Sequence, residues 1–228
     1  YPGPYDTDYW GVAPRGMAVD AVNNVWAGTW STRKFYYIDG DTGAILKTVD
    51  VSPWTHNSYG AVMDKNGVLW SSGPSHTGSQ TDNILRLDPS TDPPTISRVE
   101  MPHLIYGVGL DYLDHLFVTG WTWSALSRID ITTGTIDWTK YLPEMYGGRG
   151  VVATIDNNVW VANSMPNTVT RYDNDGNLLA TIGGLNQPTG VGVDADGKVW
   201  VCNVGDEYIH RIDPATNTIE LSKRIVGS

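Results

Sequence analysis

The chain has 228 residues, with 25 acidic against 15 basic side chains and a formal net charge of −10. That length suffices for one compact domain with its own core, and the acidic balance argues against nucleic acid or an anionic membrane as partner. The single cysteine, Cys202, excludes an internal disulfide, and no apolar run approaches the ~20 residues of a membrane span.

Residues 1–15 read as a lead-in segment that could latch the domain from outside. From Gly16 onward one pattern recurs five times: a glycine opens a short apolar run, a polar turn follows, and a large aromatic stands ten residues after the glycine. The pairs are Gly16 with Trp26, Gly60 with Trp70, Gly107 with Phe117, Gly150 with Trp160 and Gly190 with Trp200. The glycines are 44, 47, 43 and 40 residues apart, a period that marks propellers, solenoids or arrays. Each copy then reaches an apolar residue followed by aspartate: Asp39, Asp88, Asp130, Asp173 and Asp213. In the last four, an arginine stands two residues earlier (Arg86, Arg128, Arg171, Arg211).

Within each copy apolar residues alternate with polar ones, which argues for strands. The last copy shows four runs, Gly190–Asp194, Lys198–Asn203, Tyr208–Asp213 and Thr218–Arg224, joined by turn-prone Asp196-Gly197 and residues 214–217. Four antiparallel strands in ~40 residues is a propeller blade. The expected fold is therefore all-β, a five-bladed β-propeller over residues 16–228, with blades starting near 16, 60, 107, 150 and 190. The repeated tryptophans are expected to fill the space between blades, and the Arg-x-Asp pairs to cap turns and form ion pairs. Cys202 occupies the position of Gly28, Ser72, Thr119 and Ala162 and reads as a small buried residue. Asp173-Asn-Asp175-Gly reads as a turn rather than a calcium loop, since the downstream glutamate is missing.

Function is sought where the chain departs from its repeat. His56 and His103 each stand four residues before a blade glycine; Tyr59 and Tyr106 stand one before. Arg15 and Arg149 hold that same slot ahead of Gly16 and Gly150, with Tyr146 nearby. Loops after the second strands add Trp30, Trp121 and Trp123, and His76 in a long excursion; Trp54 lies in the connection to blade two. Mapped on a propeller, Trp10, Trp30, Trp54, Trp121 and Trp123 fall on one face, and Trp138 on an outer strand. Exposed aromatic clusters rimmed by polar groups mark interaction sites; packing of these rings on one another as loop anchors is the plain alternative. His56, His103 and Arg149 are the candidate catalytic residues. Arg15, Trp30, Trp54, Tyr59, Tyr106, Trp121, Trp123 and Tyr146 are the candidate ligand contacts. His115 and His210 fall off this face. The sequence specifies no cofactor and no metal set.

The blade sentence at Gly190–Pro214, Gly-Val-Gly-Val-Asp to Val-Trp-Val and then Arg-Ile-Asp-Pro, resembles the streptogramin lyase-like and NHL-type propellers, and the likeness runs over all five copies. The resemblance implies a propeller. For the lyases it further implies a seven-bladed ring that uses histidine, glutamate and magnesium to open an ester by elimination. Where those blades carry glutamate at the end of the second strand, this chain has Thr29, Gly73, Gly120, Asn163 and Asn203. Three readings follow. The first is an extracellular or cell-surface propeller (the periplasm included) that binds a glycan or another polar, ring-containing small molecule. The second is a lyase or hydrolase using histidine on the same face. The third is a scaffold that binds protein.

Overall fold

The alternation seen in the sequence becomes strand after strand. The structure, a computed structural model, describes residues 13–73, 82–121 and 123–225; Trp10, His76 and most of the proposed lead-in segment lie outside them. The described residues form twenty strands in five four-stranded antiparallel sheets, each in simple sequential order. Two single 3-10 turns, Ser52–Trp54 and Pro143–Met145, are the helical content among them. The chain divides into two compact units, residues 1–105 and 106–228.

The first unit carries two blades. Blade 1 is β1 (Pro14–Val19), β2 (Val25–Thr29), β3 (Lys34–Ile38) and β4 (Ile45–Asp50); blade 2 is β5 (Gly60–Met63), β6 (Leu69–Gly73), β7 (Asn83–Asp88) and β8 (Thr95–Glu100). The second unit carries three. Blade 3 is β9 (Val108–Leu110), β10 (His115–Thr119), β11 (Ala125–Asp130) and β12 (Thr135–Tyr141). Blade 4 is β13 (Gly148–Ala153), β14 (Val159–Asn163), β15 (Thr168–Tyr172) and β16 (Leu178–Ile182). Blade 5 is β17 (Pro188–Val193), β18 (Val199–Asn203), β19 (Tyr208–Asp213) and β20 (Thr218–Arg224).

Successive residues of a strand point to opposite faces, so within each unit neighbouring blades can pack face to face. In the first unit Trp26 and Phe35 of blade 1 pack on Leu69, Leu85 and Leu87 of blade 2. In the second, Phe117 and Leu126 of blade 3 meet Val159, Val161 and Tyr172 of blade 4. Trp160, Val169 and Ile182 of blade 4 meet Val199, Val201 and Ile212 of blade 5. Full burial of such side chains contributes roughly 1.5–3 kcal/mol each.

The repeated aspartates are turn caps, as expected. Asp39, Asp88, Asp130, Asp173 and Asp213 each accept backbone N–H bonds through one carboxylate oxygen, two or more residues on. The aspartates of the first turns add a tether to an aromatic: Asp64 Oδ2 accepts from Trp70 Nε1 at 2.9 Å and Asp194 Oδ2 from Trp200 Nε1 at 2.7 Å. Trp138 lies on the outer strand β12, edge-on to Phe117 at 6.1 Å. One expectation fails: Cys202 is exposed, although Ser72, Thr119 and Ala162 at the same position are fully buried. For Thr119 the next blade contributes to that burial, since its hydroxyl bonds the Arg149 carbonyl.

Candidate functional site

The slot just before each blade glycine is shaped by the backbone. In blades 1, 4 and 5 the first two strands slip register around it, between Pro14 and Gly16, Gly148 and Val151, and Pro188 and Gly190. Such a bulge re-aims a side chain out of the sheet, and here it presents Arg15, Arg149 and Thr189. In blades 2 and 3 the slot holds Tyr59 and Tyr106, whose N–H groups donate to the carbonyls of Ser72 and Thr119, each at 2.8 Å.

In the second unit these positions build an aromatic–guanidinium stack. Tyr106 and Trp121 lie nearly parallel with ring centroids 5.4 Å apart. The Arg149 guanidinium sits 4.3 Å from the Trp121 ring and 5.5 Å from Tyr106, distances at which the ring quadrupole attracts the cation. The Arg149 backbone is pinned, because Thr119 Oγ1 donates to its carbonyl at 2.6 Å. Gly107 permits this approach: a Cβ there would run into that same carbonyl oxygen. Arg149 Nη1 reaches Thr189 Oγ1 at 3.3 Å, while its Nε is buried without a partner among the described residues. Trp123 and Tyr146 are exposed, at 55% and 49%.

The first unit repeats the theme with the slots exchanged. Trp30 and Tyr59 meet edge to face at 5.7 Å, and the Arg15 guanidinium lies 5.5 Å from Trp30 and 5.0 Å from Tyr59. Six of the eleven predicted site residues thus fall into two Arg–Trp–Tyr clusters, one per unit. Thr189 is passed over by sequence reasoning; its signal is that it takes the same pre-glycine slot as the two arginines.

The histidines are placed differently. His56 is fully buried; its Nδ1 bonds Asn83 Oδ1 at 2.8 Å and its Nε2 bonds Ser71 Oγ at 2.9 Å. Burial lowers its pKa to about 4, since desolvation disfavours the charged imidazolium. Gly73 makes room for this ring, for a Cβ there would strike the imidazole. His103 is also buried, with Nδ1 against the Leu104 carbonyl at 2.9 Å, and burial lowers its pKa too. Trp54 is half-buried against the core of its unit, and its carbonyl accepts from Arg98. Among the described residues no three His, Cys, Asp or Glu side chains converge as a metal would need.

No family model and no curated protein matches the chain. Solved structures do. A virginiamycin B lyase from Staphylococcus aureus superposes with a TM-score of 0.80 at 21% identity, over 100% of this chain and 74% of that one. A streptogramin B lyase gives 0.79 at 20% identity, over 96% and 70%. A catalytically inactive variant of the S. aureus lyase with quinupristin gives 0.78 at 21%, over 96% and 71%. At these identities the likeness speaks to architecture: the chain has the β-propeller fold that the streptogramin lyases have.

Proposed function

We propose that this propeller recognises a polar, ring-containing ligand, most simply a glycan, outside the cytoplasm. The observation that carries the proposal is the Tyr106–Trp121–Arg149 stack. Its rings offer flat faces, its guanidinium leans on those rings with no ion pair to a carboxylate among the described residues, and the exposed rings of Trp123 and Tyr146 belong to the same unit. Sugars stack on such rings through their C–H faces while their hydroxyls or carboxylates take the in-plane N–H donors of arginine. Titration of tryptophan fluorescence with a panel of neutral and acidic oligosaccharides tests it. A saturable change that weakens at least tenfold in Trp121→Ala is expected. No response to any sugar would overturn the glycan assignment.

The likeness to the lyases favours a second reading, ester opening by elimination. Incubation with quinupristin followed by mass spectrometry distinguishes the routes: elimination opens the ring with no change of mass, hydrolysis adds one water. On this reading His103→Ala abolishes turnover in a chain that remains folded.

A further inference from the structure

The Tyr106–Trp121–Arg149 stack presents a charge as well as two rings, and the charge narrows what it can hold. Arg149 stands apart from the other arginines of its unit. Arg128 pairs with Asp137, Arg171 with Asp156, Arg211 with Glu220 and Arg224 with Glu207. Arg149 has no carboxylate partner among the described residues; its hydrogen bond is to the Thr189 hydroxyl. The acids nearest to it along the chain are engaged elsewhere. Glu144 accepts from the Tyr172 hydroxyl at 3.2 Å, and Asp156 is held by Arg171 at 2.7 Å.

The way the guanidinium is held leaves one end of it to a ligand. Trp121 and Tyr106 lie against it, and Nε is buried. Nη1 reaches Thr189 Oγ1 at 3.3 Å, and Nη2 donates to no described residue. Thr189 Oγ1 donates its own proton to the Gln187 carbonyl at 3.1 Å. It therefore orients the fork as an acceptor and neutralises nothing.

The mount beneath the fork is fixed before anything binds. Thr119 Oγ1 accepts from the Gly107 N–H at 2.9 Å and donates to the Arg149 carbonyl at 2.6 Å. On the other side, a Cβ on Gly150 would meet the Thr189 carbonyl at 2.8 Å, so the backbone next to Arg149 packs closely as well. A donor set ordered in advance binds without the loss of chain freedom that ordering would otherwise cost.

A guanidinium that leans on rings is partly stripped of water, and its charge is matched by no carboxylate of the described protein. A sugar hydroxyl would accept its N–H groups and leave the charge unmatched. A carboxylate accepts two N–H donors at once and cancels the charge, in bonds roughly twice as strong as neutral ones. A phosphate dianion would leave one negative charge over, beside a chain whose net charge is −10. Resting on the glycan reading above, we infer that the ligand of this stack is an acidic sugar, a uronic acid whose ring lies on the aromatic faces and whose carboxylate accepts from Nη1 and Nη2 of Arg149. Thr189 is a positioning residue for that contact.

The test is calorimetric titration of the unaltered chain with oligomers of galacturonate, glucuronate and mannuronate. Each is paired with its methyl ester, which keeps the shape and removes the charge, and neutral oligosaccharides run alongside. At least one acid should bind tenfold or more tighter than its own ester. That preference should shrink at least threefold between about 20 mM and about 0.5 M salt, because the contact reaches solvent. Arg149→Gln should abolish the preference and leave ester affinity within about twofold, whereas Arg149→Lys should keep part of it, since the charge stays and the planar fork is lost. Equal binding of acid and ester overturns the inference and leaves the glycan reading standing. Binding of neutral oligosaccharides where no acid binds does the same. Silence from every sugar, charged or neutral, overturns both. Should Arg149→Gln fail to accumulate, the acid-to-ester ratio and its salt dependence in the unaltered chain still decide.

Discussion

Two polar assemblies depart from the repeat, and they do so in opposite ways. The His56 network in the first unit is sealed: the ring is fully buried and both nitrogens are bonded within the protein. The Arg149 stack in the second unit is half-open: its guanidinium leans on rings and its neighbours reach solvent. A histidine in a loop is the more familiar sign of chemistry. Here the environment seals the histidine inside the protein and leaves the arginine stack half-open.

The largest expected effect breaks the sealed side. His56→Ala leaves Ser71 and Asn83 buried with a bond missing each, at about 1–3 kcal/mol apiece. Urea denaturation should therefore show a loss of about 3–5 kcal/mol once the cavity is included. A loss under about 1 kcal/mol would mean the ring is solvated.

Acid probes the same site with a defined sign. The folded pKa of His56 is depressed to about 4 from an ordinary 6.5, so between those values the unfolded chain binds the extra proton. Stability should hold above pH 6.5, fall as the pH drops toward 4, and lose about 3 kcal/mol across that window. His103, also depressed by burial, adds in the same direction. Denaturation at several pH values checks the slope, which should be shallower in His56→Gln; an unchanged slope would assign it to other groups.

On the open side the order of effects inverts. Arg149→Ala should weaken ligand binding at least tenfold, or about 1.4 kcal/mol. Its cost in unfolding free energy should stay below about 1 kcal/mol, because the residue is half-exposed. Calorimetric titration beside denaturation reads both, and a stability loss exceeding the binding loss would make the stack a loop anchor. Trp123→Ala is the mildest: within about 0.5 kcal/mol in stability, with a severalfold loss of affinity if its ring contacts the ligand.

Much of the architecture is legible in the chain itself. Alternating apolar residues, turns such as Asn66-Gly67 and Asp196-Gly197, and the aromatic ten residues after each glycine specify local geometry, and local geometry needs no neighbour. Gly67 and Gly197 do adopt the left-handed backbone, with φ of 78° and 77°. The pre-glycine slot is visible too, which is why Arg15, Tyr59, Tyr106 and Arg149 can be picked out. The sequence does not show which rings meet. Trp30 and Trp121 join an arginine and a tyrosine, Trp54 sinks against a core and Trp123 stays exposed, though all four are tryptophans in loops.

Residue type and spacing, then, determined the strands, the turns, the blades and the roster of unusual side chains, because each depends on contacts a few residues apart. Only the folded arrangement decided that His56 is sealed, that Cys202 is bare and that Arg149 rests on two rings. Those outcomes depend on what a neighbouring blade or loop brings to the same point in space. Positions that the repeat makes equivalent along the chain, such as Ala162 and Cys202, differ in burial once the chain is folded.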